Sequence, residues 1–317
     1  MSRFEQLQNN ETFQRTFSQG ELTLGLFLPV DAYPSSLSDS SLNEQIERVQ
    51  QVERAGFTAI WARDIPLHDP SFGDAGQTYD PLVYLSFLAA HTKTIGLGIG
   101  SLILPIRHPI HLAQMTASVQ HLSNNRLLLG VASGDRPVEF PAFQLDASER
   151  GERFRESFET MCQLWVDPFP VLQNDQTDLR GRADSLPKPE IPIPLFVTGN
   201  SRQTLEWIGE QSDGWMYYPR NVAFQQRVVR EWREQSDDFK PFLQSLYIDL
   251  SDDPDEAPTP IHLGFRSGRL ALIQHLDKLR TIGVNHVILN MKYSSRPVDD
   301  VLEELETYVL PHFSAND

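Results

Sequence analysis

From residue 22 to the end of the chain, short apolar runs alternate with amphipathic runs eight times, and no strand is left over. No other feature constrains the fold as strongly. A strand that feeds a helix that feeds a parallel strand builds a sheet with helices on its outside. Eight such units predict an α/β fold, a single closed (β/α)8 TIM barrel rather than an open doubly wound sheet. The expected strands are 22–28, 58–63, 95–104, 127–132, 193–197, 214–217, 242–250 and 286–291. Local signals support the intervening helices. Ser41 and Glu44 have capping-box spacing, and Pro81 and Pro109 stand where a helix tolerates proline at its first position.

Residues 1–21 precede the first strand and read as an N-terminal extension, a short helix or an arm. Residues 22–317 form the barrel domain. Two segments, 167–192 and 251–266, show no clear period and exceed the usual loop length of about 12–15 residues. The second is acidic, rich in proline and attached to the C-terminal end of a strand. It is expected to be a mobile lid.

Composition narrows the function classes. Forty-three acidic against 27 basic residues give a net charge of -16, which argues against a nucleic-acid footprint or a surface that seeks anionic lipid. The single cysteine, Cys162, excludes an internal disulfide framework and a cysteine-rich zinc site. The nine histidines lack metal-ligand spacing, so no metal is expected. No run approaches the ~20 apolar residues of a membrane span, and the polar N-terminus has no apolar signal core. These features predict a cytoplasmic protein with a small-molecule substrate.

Barrel active sites lie at the C-terminal ends of the strands, so chemistry is sought there. Those ends carry Arg63 and Asp64 with His68 beyond, Gly100 and Ser101, Ser133 with Gly134 and Arg136, and Lys292 with Tyr293. The most informative end is Val197 to Thr204. A strand stops, Gly199 turns, and a helix expected from Ser201 would aim its free N–H groups at the barrel mouth. Hydroxyls of Ser201 and Thr204, with Arg202, could add donors to a phosphate; a plain helix cap is the simpler reading. Ser133 lacks the G-x-S-x-G context of a hydrolase nucleophile. Gly96, Gly98 and Gly100 alternate inside a strand, which suits close backbone approach better than a dinucleotide fingerprint.

Several runs together resemble the bacterial luciferase-like, flavin-dependent monooxygenases. They are Leu24–Pro29, Ala55–Trp61, Asp80–Pro81, Gly98–Pro109, Leu122–Arg126, Leu129–Gly134, Gly199–Ser201 and Ser212–Trp215, in the family order. The resemblance implies reduced FMN as co-substrate, with a deazaflavin as the alternative, and often a homodimer. It implies that a separate flavin reductase delivers the cofactor, that oxygen adds at the flavin C4a carbon, and that the resulting peroxyflavin oxidises a small organic substrate. The alternatives are hydride transfer with a deazaflavin, or flavin binding without turnover. By position, Gly100-Ser101 matches a non-prolyl cis peptide under the flavin ring, and Ala132, Ser133 and Gly134 lie beside it. Gly199, Asn200, Ser201, Arg202 and Thr204 match the phosphate end. Arg150 and Phe154 match a helical pair that is often His and Tyr. The family's histidine after the second strand is absent, which leaves Asp64 and His68 as candidate catalytic groups.

Overall fold

The computed structural model describes residues 3–33, 39–69, 71–72 and 79–313. Eight parallel strands form the barrel: β1 (Thr23–Phe27), β2 (Ala59–Ala62), β3 (Gly96–Ile103), β4 (Leu127–Ala132), β5 (Leu195–Thr198), β6 (Gly214–Tyr217), β7 (Phe242–Leu250) and β8 (His286–Asn290). Each pairs with the next in chain order, and β8 closes the ring on β1 with Thr23 opposite His286. Helices follow the strands on the outside. Among the described residues, no helix is long and apolar enough to cross a membrane.

The local signals act as expected. Ser41 and Glu44 close a reciprocal capping box on the helix Leu42–Ala55, and Gly56 ends it in the left-handed region. Asp80 caps Pro81–Ala89, and His108 caps Pro109–Leu122. Within β3, Gly98 makes room for a neighbour. A Cβ there would sit 2.3 Å from the Trp61 ring, so glycine lets that indole fill the barrel interior.

The first helices, Arg3–Leu7 and Glu11–Thr16, are not a free arm. Their Leu7 and Phe13, with Phe17, join Trp61, Leu128, Phe196, Leu243 and Ile288 in one buried cluster. Each buried aromatic or leucine side chain contributes about 1.5–3 kcal/mol, so this segment acts as the bottom plug of the barrel. Polar contacts at the strand starts agree. Arg3 pairs with Asp213 at 2.7 Å, and Asn285 donates to the Ser18 carbonyl at 3.0 Å. Fully buried His286 accepts from Trp61 Nε1 at 3.0 Å, which assigns its proton to Nδ1 facing Thr23 Oγ1 at 2.7 Å. Thr23 in turn donates to the Thr16 carbonyl. Burial pushes the imidazole down to about 3, so it is a neutral connector between barrel and plug.

Both segments expected to be irregular contain hairpins. Val171–Gln173 pairs with Asp178–Arg180, and Thr259–Ile261 with Gly264–Ser267. Gly264–Ser267 also adds in parallel to β7, and Arg266 is bound to Asp249 at 2.9 Å and Glu256 at 2.8 Å. Residues 259–261 and 264–266 of the segment expected as a lid thus extend the sheet. Strands of three or four residues are too short to show alternation in sequence.

Candidate active site

A cavity of about 710 Å³ opens at the C-terminal end of the barrel, and all eight strands or their following turns line it. Its floor is apolar, with Phe27, Met216 and Ile288. Gly100 belongs to this floor; a Cβ there would lie 3.2 Å from the Met216 methyl and 3.4 Å from the Phe27 ring. The Gly100–Ser101 peptide is cis, and the β3–β4 register shifts between Ile99 and Leu102. The Ser101 hydroxyl is hydrogen-bonded to that of Thr198, tying the tips of β3 and β5.

The wall above β4 and β5 is built largely from backbone. Ala132, Ser133, Gly134, Gly199, Asn200 and Ser201 all face the cavity. Gly199, Ser201 and Arg202 have φ of 54°, 43° and 63°. Successive residues near the left-handed region turn their N–H groups toward a common point, an anion-binding concavity. Among the described residues, the N–H groups of Asn200, Ser201 and Arg202 have no acceptor within the chain. The Ser201 hydroxyl donates to the Thr198 carbonyl at 2.8 Å and accepts from the Ser133 N–H at 3.3 Å.

The helix expected from Ser201 begins instead at Leu205, because Thr204 is its N-cap and accepts from the Trp207 N–H at 3.2 Å. Thr204 and Arg202 stand outside the cavity lining, with Arg202 packed against Gly151. Arg150 and Phe154 also lie outside it. Phe154 is buried against Phe158 and Trp207, and Arg150 donates to the Ala147 carbonyl. Of the residues expected at a phosphate, Gly199, Asn200 and Ser201 thus face the cavity, and Arg202 and Thr204 do not. A flat apolar floor beside such a concavity fits a flavin-type cofactor with a phosphate-bearing tail.

Neither candidate catalytic group is placed as a base. Asp64 is held bidentate by Arg107 at 2.5 and 2.7 Å and accepts the Ile103 N–H at 2.9 Å. Burial pushes its carboxyl up, and Arg107 opposes that shift. His68 is exposed and outside the lining.

Across the mouth, the wall of β8, β1 and β2 is charged and aromatic. The Arg63 guanidinium donates to the Tyr33 hydroxyl at 3.0 Å. The Lys292 ammonium lies 5.7 Å from the Tyr33 ring and 5.3 Å from the Tyr293 ring. Tyr247, His262 and Tyr293 form a ring cluster with centroids 5.5–6.4 Å apart. Buried Gln244 uses its Oε1 on Gln225, and its Nε2 has no partner among the described residues. Strand-end position singles out Arg63, Lys292 and Tyr293 in the sequence, but Tyr33, Tyr247 and His262 carry no such mark.

The model of the luciferase-like monooxygenase family matches residues 22–282. The chain belongs to that family. Among curated relatives, an uncharacterized protein of Mycobacterium tuberculosis is 29% identical over 208 residues, 62% of this chain and 72% of that one. An F420-dependent glucose-6-phosphate dehydrogenase of Amycolatopsis mediterranei is 27% identical over 188 residues, covering 58% of this chain and 56% of the relative. The oxygenase component of a flavin-dependent trigonelline monooxygenase from Acinetobacter baylyi is 31% identical over 151 residues, 47% and 41% of the two chains. Two solved structures share the fold. Monooxygenase RslO1 from Streptomyces bottropensis gives a TM-score of 0.73 at 19% identity, covering 92% of this chain and 99% of that one. An F420-dependent secondary alcohol dehydrogenase gives 0.76 at 16%, covering 93% and 100%. The luciferase-like family thus includes both flavin-dependent monooxygenases and F420-dependent dehydrogenases among the relatives of this chain.

Proposed function

We propose that this chain is an FMN-dependent monooxygenase of the cytoplasm, supplied with reduced FMN by a separate reductase. Reduced FMN supplies the electrons with which one atom of dioxygen enters the substrate and the other leaves as water. The observation that carries the reading is the pairing of the apolar floor at Gly100, Phe27 and Met216 with the concavity at 199–202. Backbone N–H groups of Asn200 and Ser201, which face the cavity, would hold the phosphate. Gly100 admits the ring, and Phe27, Met216 and Ile288 keep water from beneath it. Oxygen transfer, unlike oxidation of an alcohol, asks for no strong base at the β2 tip, where Asp64 is locked by Arg107.

A second reading, hydride transfer with the deazaflavin F420, has support of its own. His262 lines the cavity and offers a base for an alcohol proton, and an F420-dependent relative matches over more than half the chain. Anaerobic titration with reduced FMN and with reduced F420, followed by oxygen, separates the two. The monooxygenase reading expects tight reduced FMN and oxygen consumption. Binding of F420 alone, with no response to oxygen, contradicts it. A homodimer belongs to the same proposal: Tyr79, Val83 and Phe87 are exposed four residues apart on and before the helix Pro81–Ala89. Sedimentation of Val83→Glu is expected to show monomer.

A further inference from the structure

The apolar floor of the cavity carries a thioether. Of the methionines among the described residues, Met216 alone lines the cavity. Met161 and Met291 belong to the core outside that lining, 1% and 2% exposed, and Met115 is half-buried on the helix Pro109–Leu122. Met216 stands on β6 and is packed tightly toward the strands. A Cβ at Gly100 would lie 3.2 Å from its methyl, and one at Gly130 2.6 Å from its sulfur. The thioether thus fills space that β3 and β4 leave by carrying glycine. An atom added to its sulfur finds room on the cavity side only.

A hydroxyl is already aimed at that sulfur. Thr198 Oγ1 donates to Met216 Sδ at 3.6 Å, and the Ser101 hydroxyl is hydrogen-bonded to Thr198. With the Thr198 proton on sulfur, Ser101 is the donor to Thr198. A thioether sulfur is a weak acceptor, so the contact adds little while the side chain is reduced. A sulfoxide oxygen is polar and accepts strongly, so the same pair of hydroxyls favours the oxidised side chain. An oxidant has its place here too. Dioxygen that takes two electrons in this cavity and passes no atom to a substrate leaves as hydrogen peroxide.

We propose that Met216 is an oxidation site: hydrogen peroxide in the cavity converts its thioether to the sulfoxide, and the added oxygen closes the floor to the flavin ring. The sulfur lone pair attacks one peroxide oxygen, and the O–O bond breaks. The proton on the attacked oxygen passes to the departing hydroxide, which leaves as water. Sulfur is oxidised by two electrons and peroxide is reduced by two. A polar, bulkier group then stands where Gly100 leaves room for a ring, so turnover without substrate shuts itself off. The source of the oxidant rests on the monooxygenase reading; the position of the sulfur does not.

The test has two arms on the whole protein, read by peptide mass spectrometry and by equilibrium titration with FMN. In the first, dilute hydrogen peroxide is added with and without saturating oxidised FMN. Met216 is expected to form its sulfoxide at least about fivefold faster than Met161 or Met291, and FMN to slow Met216 while leaving Met115 unchanged. FMN affinity of the oxidised protein should fall about tenfold or more, whereas Met216→Leu, which keeps an apolar floor, should lose less than about threefold under the same dose. In the second arm, reduced FMN reacts with air in the presence of catalase, which destroys peroxide that has left the cavity. Met216 should be oxidised there and Met115 spared. Met216 reacting no faster than Met161 and Met291 overturns the proposal. So does an oxidised wild type that keeps its FMN affinity, or a loss as large in Met216→Leu. If untreated protein binds no FMN, or if reduced FMN and air leave intact a Met216 that added peroxide oxidises, the functional reading falls while the relative rates still decide the oxidation site.

Discussion

The two sides of the barrel mouth are built from different materials. The β3–β5 side is small residues and backbone: a glycine in the floor, a cis Gly100–Ser101 peptide, and left-handed residues at 199, 201 and 202. The β8–β1–β2 side carries long side chains, Arg63, Lys292 and Tyr293, with Tyr33 buried behind them and Tyr247 beside them on β7. Backbone can bind a phosphate and support a planar ring whatever the substrate. Charged and aromatic side chains discriminate among substrates.

The sharpest way to break this division is at Asp64, which sits at the boundary between the sides. If Asp64 is a structural partner of Arg107, Asp64→Ala leaves a partly buried guanidinium with only Asp80, at 3.4 Å, and the Ile103 N–H without its acceptor. The expected cost is about 3–5 kcal/mol of stability, read as a lower denaturant midpoint. A variant of normal stability that loses only turnover would make Asp64 catalytic after all. Next in size is Ser101→Leu, which fills the space above the floor. Flavin affinity is expected to fall about 100-fold, close to 2.7 kcal/mol, with the denaturant midpoint little changed. Unchanged flavin affinity would mean that the tip of β3 does not face the cofactor.

A smaller effect concerns Glu139, buried behind the wall with Arg136 at 3.8 Å. Burial lifts its carboxyl to about 7. A group whose folded pKa is raised stabilises the fold fully below its unfolded value, near 4.5, and loses that contribution as pH rises through about 7. Thermal melts between pH 4.5 and 7.5 should therefore show a decline in the wild type that is shallower in Glu139→Gln. Parallel profiles would assign the decline to other groups.

The same contrast explains what could be read in the sequence. Barrel strands announce themselves because each is an apolar run bounded by caps and turns, such as Ser41 with Glu44 or Asp80 with Pro81. The turn after β5 is legible as a strand end followed by Gly199, but the helix beyond it begins at Leu205 and not at Ser201. Ser and Asn look like caps wherever they stand, and only the left-handed φ of Ser201 and Arg202 moves the cap to Thr204. Arg150 and Phe154, which the resemblance implies at the cofactor, lie outside the cavity lining, and Phe154 packs on Trp207. The plug formed by Phe13 and Phe17 was hidden because two short helices carry little periodicity. That the strand-end cations Arg63 and Lys292 share one aromatic neighbour is not legible, for another reason. Tyr33, Arg63, Tyr247 and Lys292 are separated by up to 259 positions and meet only when the ring closes on β8 and β1.

The central claim is that the 199–202 turn holds the phosphate of a flavin cofactor. Equilibrium titration of reduced FMN against reduced riboflavin, on the wild type and on Asn200→Asp, tests it most directly. Reduced FMN is expected to bind at least about tenfold more tightly than reduced riboflavin, since only FMN carries the group the N–H concavity accepts. Asn200→Asp, which places a carboxylate beside that group, should erase the difference and leave riboflavin affinity unchanged. Equal affinity of the two flavins in the wild type, or an FMN preference untouched by Asn200→Asp, would contradict the account.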